Sequence, residues 1–117
     1  MFRNVAELVE LAETQGKKIS QVMIEAEMEV SQRSREEIMH DMYTNLDVME
    51  KAVRRGLTED IRSHSGLTGG DAKKLQEYMK TKPFLSCPTL LNAVSMSVAV
   101  NEVNAAMGTI VATPTAG

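Results

Sequence analysis

Tryptophan is absent from the 117 residues, and only two tyrosines and two phenylalanines are present. So few rings provide no platform on which unpaired bases could stack. A formal net charge of −3 supplies no basic footprint for a phosphate backbone. Together these absences exclude a nucleic-acid partner. A single cysteine, Cys87, excludes an internal disulfide and points to a reducing compartment. No basic, apolar leader opens the chain, because Arg3, Asn4 and Glu7 interrupt it, and a cytoplasmic location is expected. Charge itself is missing from one region: between residues 83 and 117, Glu102 is the only charged side chain. Asn92, Ser95, Ser97, Asn101 and Asn104 break the apolar run there, which excludes a membrane span.

Nine methionines stand where aromatics would be, and methionine packs irregular or adaptable interfaces well. A solvated helix normally keeps a charged face. The charge-poor region is therefore either an exceptionally buried core helix or a surface covered by a partner. The second is expected, because a chain this short buries little, and self-association is one form it could take.

Helical periodicity organises the whole chain. Asn4 can cap a first helix with Val5, Leu8, Val9 and Ala12 on one face, ended by Gly16. Ser20 begins a second, in which Val22, Met23, Ala26 and Val30 recur at helical spacing. Ser34-Arg35-Glu36-Glu37 has the form of a capping box for a long third helix. Its apolar stripe is Ile38, Met42, Leu46, Met49 and Val53; Arg54 and Arg55 complement the terminal dipole, and Gly56 is the expected stop. A fourth helix starts at Thr68 or Asp71 and runs through Leu75, Tyr78 and Met79. Pro88 suits the first turn of a fifth, which continues through Leu90, Leu91, Val94, Val98 and Val103 to Gly108. The β-branched run at Thr109, Ile110 and Val111 has no second strand to pair with. The fold class is all-α, about five helices in one segment, residues 1–117.

Three small, polar segments interrupt this scaffold. The first, Ser65-Gly66-Leu67-Thr68-Gly69-Gly70-Asp71-Ala72, can turn backbone amides toward a ligand and feeds them into a helix amino terminus, which suits a carboxylate or phosphate. The bland alternative is a glycine-rich turn, since this is neither a phosphate-binding loop nor a dinucleotide fingerprint. The second is Asn101-Glu102-Val103-Asn104, which puts Asn101 and Asn104 on one helix face. Glu102, if buried, must be paired or protonated: a proton-transfer residue, or half of a structural hydrogen-bonded pair. Asn104 and Ser97 could equally be helix-to-helix hydrogen bonds. The third is the tail Thr113-Pro114-Thr115-Ala116-Gly117. Among the remaining reactive groups, Cys87 is taken as a small buried hydrophobe and His40 as solvated. His64, directly before the glycine loop, is the better functional histidine.

Taken together, the three segments resemble the α chain of the iron–sulfur-dependent L-serine dehydratases, and the resemblance runs over nearly all of the chain. It implies a lyase of serine catabolism that feeds gluconeogenesis, converting L-serine to pyruvate and ammonia. One iron of a [4Fe–4S] cluster would act as Lewis acid on the serine hydroxyl while a base takes the α-proton. A cubane cluster needs several thiolates, so with Cys87 alone this chain holds no metal, and the ligands are expected outside it. The resemblance further implies a substrate wall built from Ser65, Gly66, Thr68, Gly69, Gly70, Asp71, Asn101, Asn104, Thr113 and Thr115. His64 and Glu102 are the candidates for proton transfer. The segment would then be the amino-terminal part of a larger helical catalytic domain, inactive alone, partnered by the remainder of an α chain and by a β chain or domain. The competing reading is a non-catalytic helical module that docks to a partner chain. In the first reading, a side chain at Gly69 or Gly70 obstructs the ligand and leaves the helices intact.

Overall fold

The computed structural model describes residues 2–81 and 86–112. It contains five helices: α1 (Val5–Gln15), α2 (Ile19–Ser31), α3 (Arg35–Thr58), α4 (Asp71–Lys80) and α5 (Pro88–Ala105). No strand occurs among the described residues, so the all-α expectation holds. The chain forms two compact units, Met1–Thr44 and Asn45–Gly117, with the boundary inside α3.

The first unit contains α1, α2 and the first turns of α3. Its helices begin and end on their own neighbours in sequence. Asn4 Oδ1 accepts the Glu7 amide at 2.9 Å while Glu7 Oε2 accepts the Arg3 amide at 2.7 Å. Gly16, at φ 62°, closes α1 with paired backbone bonds: Lys17 N–H to Ala12 O at 2.9 Å and Gly16 N–H to Glu13 O at 3.1 Å. The capping box before α3 is present as expected. Ser34 Oγ accepts the Glu37 amide at 3.2 Å, and Glu37 Oε2 accepts the Ser34 amide at 2.8 Å. Ala12, Val22 and Ile38 are the buried apolar residues here. The second helix starts at Ile19, one residue before the expected Ser20, because Gln21 reaches back to the Lys18 amide at 2.9 Å.

The second unit contains the rest of α3 together with α4 and α5, and small residues take many of its buried positions. Ala52, Ile61 and Val103 form the buried cluster, with Val100, Ala106 and Ile110 packed against it. Two expectations fail here for one physical reason. Gly56 does not stop α3, which runs on to Thr58. A Cβ on Gly56 would lie 2.5 Å from the Ala99 carbonyl oxygen and 2.6 Å from Ala99 Cα, so this glycine lets the backbones of α3 and α5 approach closely. Consequently the packed positions of α3 in this unit are Ala52 and Gly56. Leu46 and Met49, in the middle of the expected apolar stripe, are exposed, as is Met42 in the first unit.

Helix α5 ends at Ala105, and its closing αL residue is Met107 at φ 60°, not glycine. Gly108 N–H reaches Val103 O at 2.8 Å and Met107 N–H reaches Asn104 O at 2.9 Å. Cys87, expected to be buried, is exposed. It occupies the extended N-cap position immediately before Pro88, outside the helix packing. Ser97 Oγ likewise donates to Ala93 O of its own helix at 2.9 Å instead of bridging helices. Ser95 makes the bridge: Gln76 Nε2 of α4 donates to its fully buried hydroxyl at 2.7 Å, and that hydroxyl donates to Asn92 O at 2.9 Å.

Candidate functional site

The loop between α3 and α4 carries the first small-residue segment, and its shape is set by backbone geometry. Ser63 N–H donates to Thr68 O at 2.8 Å, Gly66 N–H donates to Ser63 O at 2.8 Å, and Thr68 N–H donates to Ser63 Oγ at 3.2 Å. Ser63 and Ser65 hydroxyls lie 3.1 Å apart. The result is a tight turn that leaves His64, Ser65, Gly66 and Thr68 exposed.

Beyond this turn the chain passes close over its own entry. Gly69, at φ 133°, is buried, and a Cβ there would collide with the Ile61 carbonyl oxygen. Arg62 Nη1 donates to the Gly69 carbonyl at 3.3 Å. Gly69 is therefore a structural requirement of the turn, and a side chain there disrupts the loop itself rather than only obstructing a ligand. Gly66 and Gly70 also have positive φ, but each has open space where a Cβ would stand.

Glu102 connects the loop to α5. Its carboxylate accepts the Asp71 amide on Oε1 at 2.6 Å and the Ala72 amide on Oε2 at 3.4 Å. A helix amino terminus leaves its first amides without internal partners. The N-cap residue of α4 is Gly70, which has no side chain to satisfy them and sits at φ 80°. Glu102, only 8% exposed and thirty or more residues away, supplies the missing acceptors. The helix terminus that the sequence offers to a ligand carboxylate thus already holds one. Of the two alternatives for Glu102, the geometry realises the structural pair.

One turn further along α5, the Ala105 carbonyl accepts the His64 amide at 2.9 Å. The first and second segments are therefore brought together: both ends of the glycine loop are fastened to the last turns of α5. Asn101 is exposed and Asn104 half-buried on that same stretch. Thr113 and Thr115 lie outside the described residues.

Beside the first turn of α4, a cleft of about 420 Å³ is lined by Asp60, Arg62, Gly70, Lys73, Lys74 and Glu77. Lys73 Nζ holds Asp60 at 2.8 Å, and Lys74 Nζ holds Asp71 at 3.1 Å. The hydrogen bond from Lys73 draws the Asp60 carboxyl below its ordinary range, and the same bond raises the Lys73 ammonium. Among the described residues, no group of three His, Cys, Asp or Glu side chains is arranged to hold a metal ion. Among the described residues, no helix is long and apolar enough to cross a membrane.

The link from Glu102 to α4 escaped the sequence reading. Its signal was nonetheless present: an N-cap glycine that cannot cap, and a lone carboxylate in uncharged sequence that must find donors. The pairing of Gly56 with Ala99 had a fainter signal, in the small residues Ala52 and Gly56 four apart on α3 and Ser95 and Ala99 four apart on α5.

The family model described as the serine dehydratase alpha chain matches residues 14–117. The chain belongs to that family. Over all 117 residues it is 57% identical to the "Probable L-serine dehydratase, alpha chain" of Bacillus subtilis (strain 168), covering 39% of that protein. It is 32% identical, again over its full length, to the "L-serine dehydratase, alpha chain" of Peptoniphilus asaccharolyticus, covering 40% of it. The chain thus spans about two fifths of the length of these relatives. No solved structure matches.

Proposed function

We propose that this chain supplies part of the substrate wall of an enzyme that converts L-serine to pyruvate and ammonia in the cytoplasm. The observation that carries the proposal is the 57% identity, over the full length of this chain, to an α chain named for that activity. The described geometry supports it: a loop of small and hydroxylated residues is held at both ends against one helix terminus. The reaction removes the α-proton and expels the hydroxyl as water; the resulting enamine tautomerises and hydrolyses. An imidazole is the side chain best suited to take a proton near neutrality. His64 is exposed on the tight turn, with its own amide fixed on Ala105. It is the proposed base, and the Ser65 and Thr68 hydroxyls beside it are the proposed contacts to the serine carboxylate or amine.

The [4Fe–4S] cluster implied by the resemblance does not fit the donors of this chain. Cys87 is the single thiol, and no metal-holding group exists among the described residues. Its ligands would lie in the remainder of the α chain or in a partner. The same remainder, with a β chain or domain, is the proposed cover for α5. Leu90, Val94 and Met96 are 54%, 41% and 45% exposed there, more apolar surface than a helix of a finished core leaves open.

The test is pyruvate formation by the complete α chain carrying this sequence, purified anaerobically with its partner subunit. Turnover of L-serine that falls at least a hundredfold in His64→Ala, with cluster content retained, supports the assignment. Wild-type protein with a full cluster and no turnover of L-serine overturns it.

A further inference from the structure

We propose that Glu102 is a positioning residue, the distant cap that fixes the glycine loop, and is not the group that takes the substrate proton. This deepens the serine dehydratase reading and rests on it.

Three observations converge on Glu102. Both of its carboxylate oxygens face amides of the first turn of α4, at 2.6 Å and 3.4 Å. The residue that would ordinarily cap that helix is Gly70, which offers no acceptor. A capping residue is normally extended, whereas Gly70 sits at φ 80°, so no side chain at that position would be placed in the usual capping geometry. And Glu102 is the only charge between residues 83 and 117, buried on a helix whose next turn already anchors the other end of the loop through Ala105.

The consequence for chemistry is steric as much as electrostatic. A general base must reach the α-proton within hydrogen-bond distance. For Glu102 to swing toward a substrate it would have to release Asp71 and Ala72, leaving the amino terminus of α4 without acceptors. The loop would then lose one of its two attachments at the moment the substrate needs a rigid wall. A carboxylate that never leaves its amides gives a pre-organised loop, and pre-organisation is felt mainly in substrate binding.

The experiment uses the complete enzyme, α chain with its partner, as wild type and as Glu102→Gln. Glutamine keeps one oxygen for the Asp71 amide but turns an N–H₂ toward the Ala72 amide. The expected result is a KM for L-serine raised about tenfold, as for loss of one charge-assisted hydrogen bond, with kcat within about threefold. The acidic limb of the pH–rate profile stays where it is, and backbone amide exchange accelerates in a peptide spanning residues 63–75. A fall in kcat of a hundredfold or more with loss of the acidic limb makes Glu102 the base and overturns the proposal. So does a variant whose KM and amide exchange both match wild type. Should Glu102→Gln fail to fold, exchange in the wild-type enzyme decides. The Asp71 and Ala72 amides are expected to be protected as strongly as those of the middle of α4, and rapid exchange at both overturns the proposal. Failure of the underlying reading looks different, because the wild-type enzyme itself then produces no pyruvate from L-serine.

Discussion

The two compact units end their helices in different ways. In the first unit, each stop or start is written within a few residues: Asn4 with Glu7, Gly16 with Ala12 and Glu13, Ser34 with Glu37. In the second unit, α4 begins on a carboxylate that lies thirty or more residues further on, and α3 passes through a glycine to meet the backbone of α5. Local caps are cheap to build and tolerate change around them, since each depends only on its own turn. Distant caps cost specificity of packing but tie separate elements into one unit, and the candidate site sits where those ties are densest. The comparison teaches that the site-bearing unit is held by non-local contacts, whereas the other is held largely by its own short-range grammar.

The sharpest way to break the comparison is at Gly69. A Cβ there meets the Ile61 carbonyl while φ is 133°, a conformation L-residues rarely adopt. Gly69→Val is expected to destabilise the second unit by roughly 3 kcal/mol or more, combining backbone strain with a collision that cannot relax into side-chain motion. Hydrogen exchange should accelerate across residues 45–81 and 86–112 and stay nearly unchanged across residues 5–44. Loss of turnover with full protection of the second unit would instead return Gly69 to the role of a simple ligand wall. Gly66→Ala is the control: its φ is 75° but its Cβ has open space, so only the left-handed penalty of about 1 kcal/mol remains.

A smaller effect is expected at Gly56, where two terms oppose each other. Replacing a helix-interior glycine by alanine gains about 1 kcal/mol in propensity. Against this, the new methyl would stand 2.5 Å from the Ala99 carbonyl oxygen, and overpacking of that kind costs about 1–3 kcal/mol. Because the obstructing atoms are backbone, the collision should win. Gly56→Ala should lower the stability of the second unit by up to about 2 kcal/mol, read as a lower midpoint in thermal or urea unfolding. A more stable variant would show that α3 and α5 are free to separate.

These two glycines also show which parts of the structure the sequence could reveal. Periodicity placed all five helices, and local chemistry placed Asn4, Gly16 and Ser34 correctly, because those signals involve residues within one or two turns. Gly56 reads as a stop because glycine after a periodic run usually is one; the close approach of Ala99 is a tertiary fact whose only trace in the sequence is the pair of small residues four apart on each helix. The stripe of Met42, Leu46 and Met49 misled for a related reason. Large apolar residues at helical spacing suggest a core, yet where backbones meet closely the buried positions go to Ala52 and Gly56. At the candidate site, the small-residue segments are legible in the sequence, but that Glu102 takes the amides offered by the first turn of α4 is not. Capping across thirty residues leaves no spacing to read.

Turning to the first unit, Ser34→Ala removes one of the two reciprocal bonds of the capping box. The expected loss is about 1 kcal/mol, the usual cost of removing a hydroxyl cap. It should be confined to that unit, with accelerated exchange at the start of α3 and no change in residues 59–81. Spread of the effect into those residues would mean that the two units unfold together, and the contrast between them would then be one of construction only.

The smallest expected effect concerns pH and sharpens the account of that same box. The Glu37 carboxyl titrates below the usual glutamate range, first because it accepts the Ser34 backbone amide and then because it accepts the Ser34 hydroxyl. A depressed carboxyl pKa means that the unfolded chain binds the proton more readily than the folded one. The associated stability is therefore fully present above the ordinary glutamate range, near 4.3, and is lost as pH falls through the lower, folded value. Asp41, held by Arg33, and Asp60, held by Lys73, shift in the same direction, so mild acid weakens both units slightly. Ser34→Ala removes the hydroxyl bond but leaves the backbone amide in place, and that amide is the larger cause. The Glu37 titration, followed by carboxyl carbon chemical shift, should consequently move only part of the way back toward the ordinary range. Full return would show that the amide bond breaks with the hydroxyl, which is what a box closing as a single cooperative unit would do.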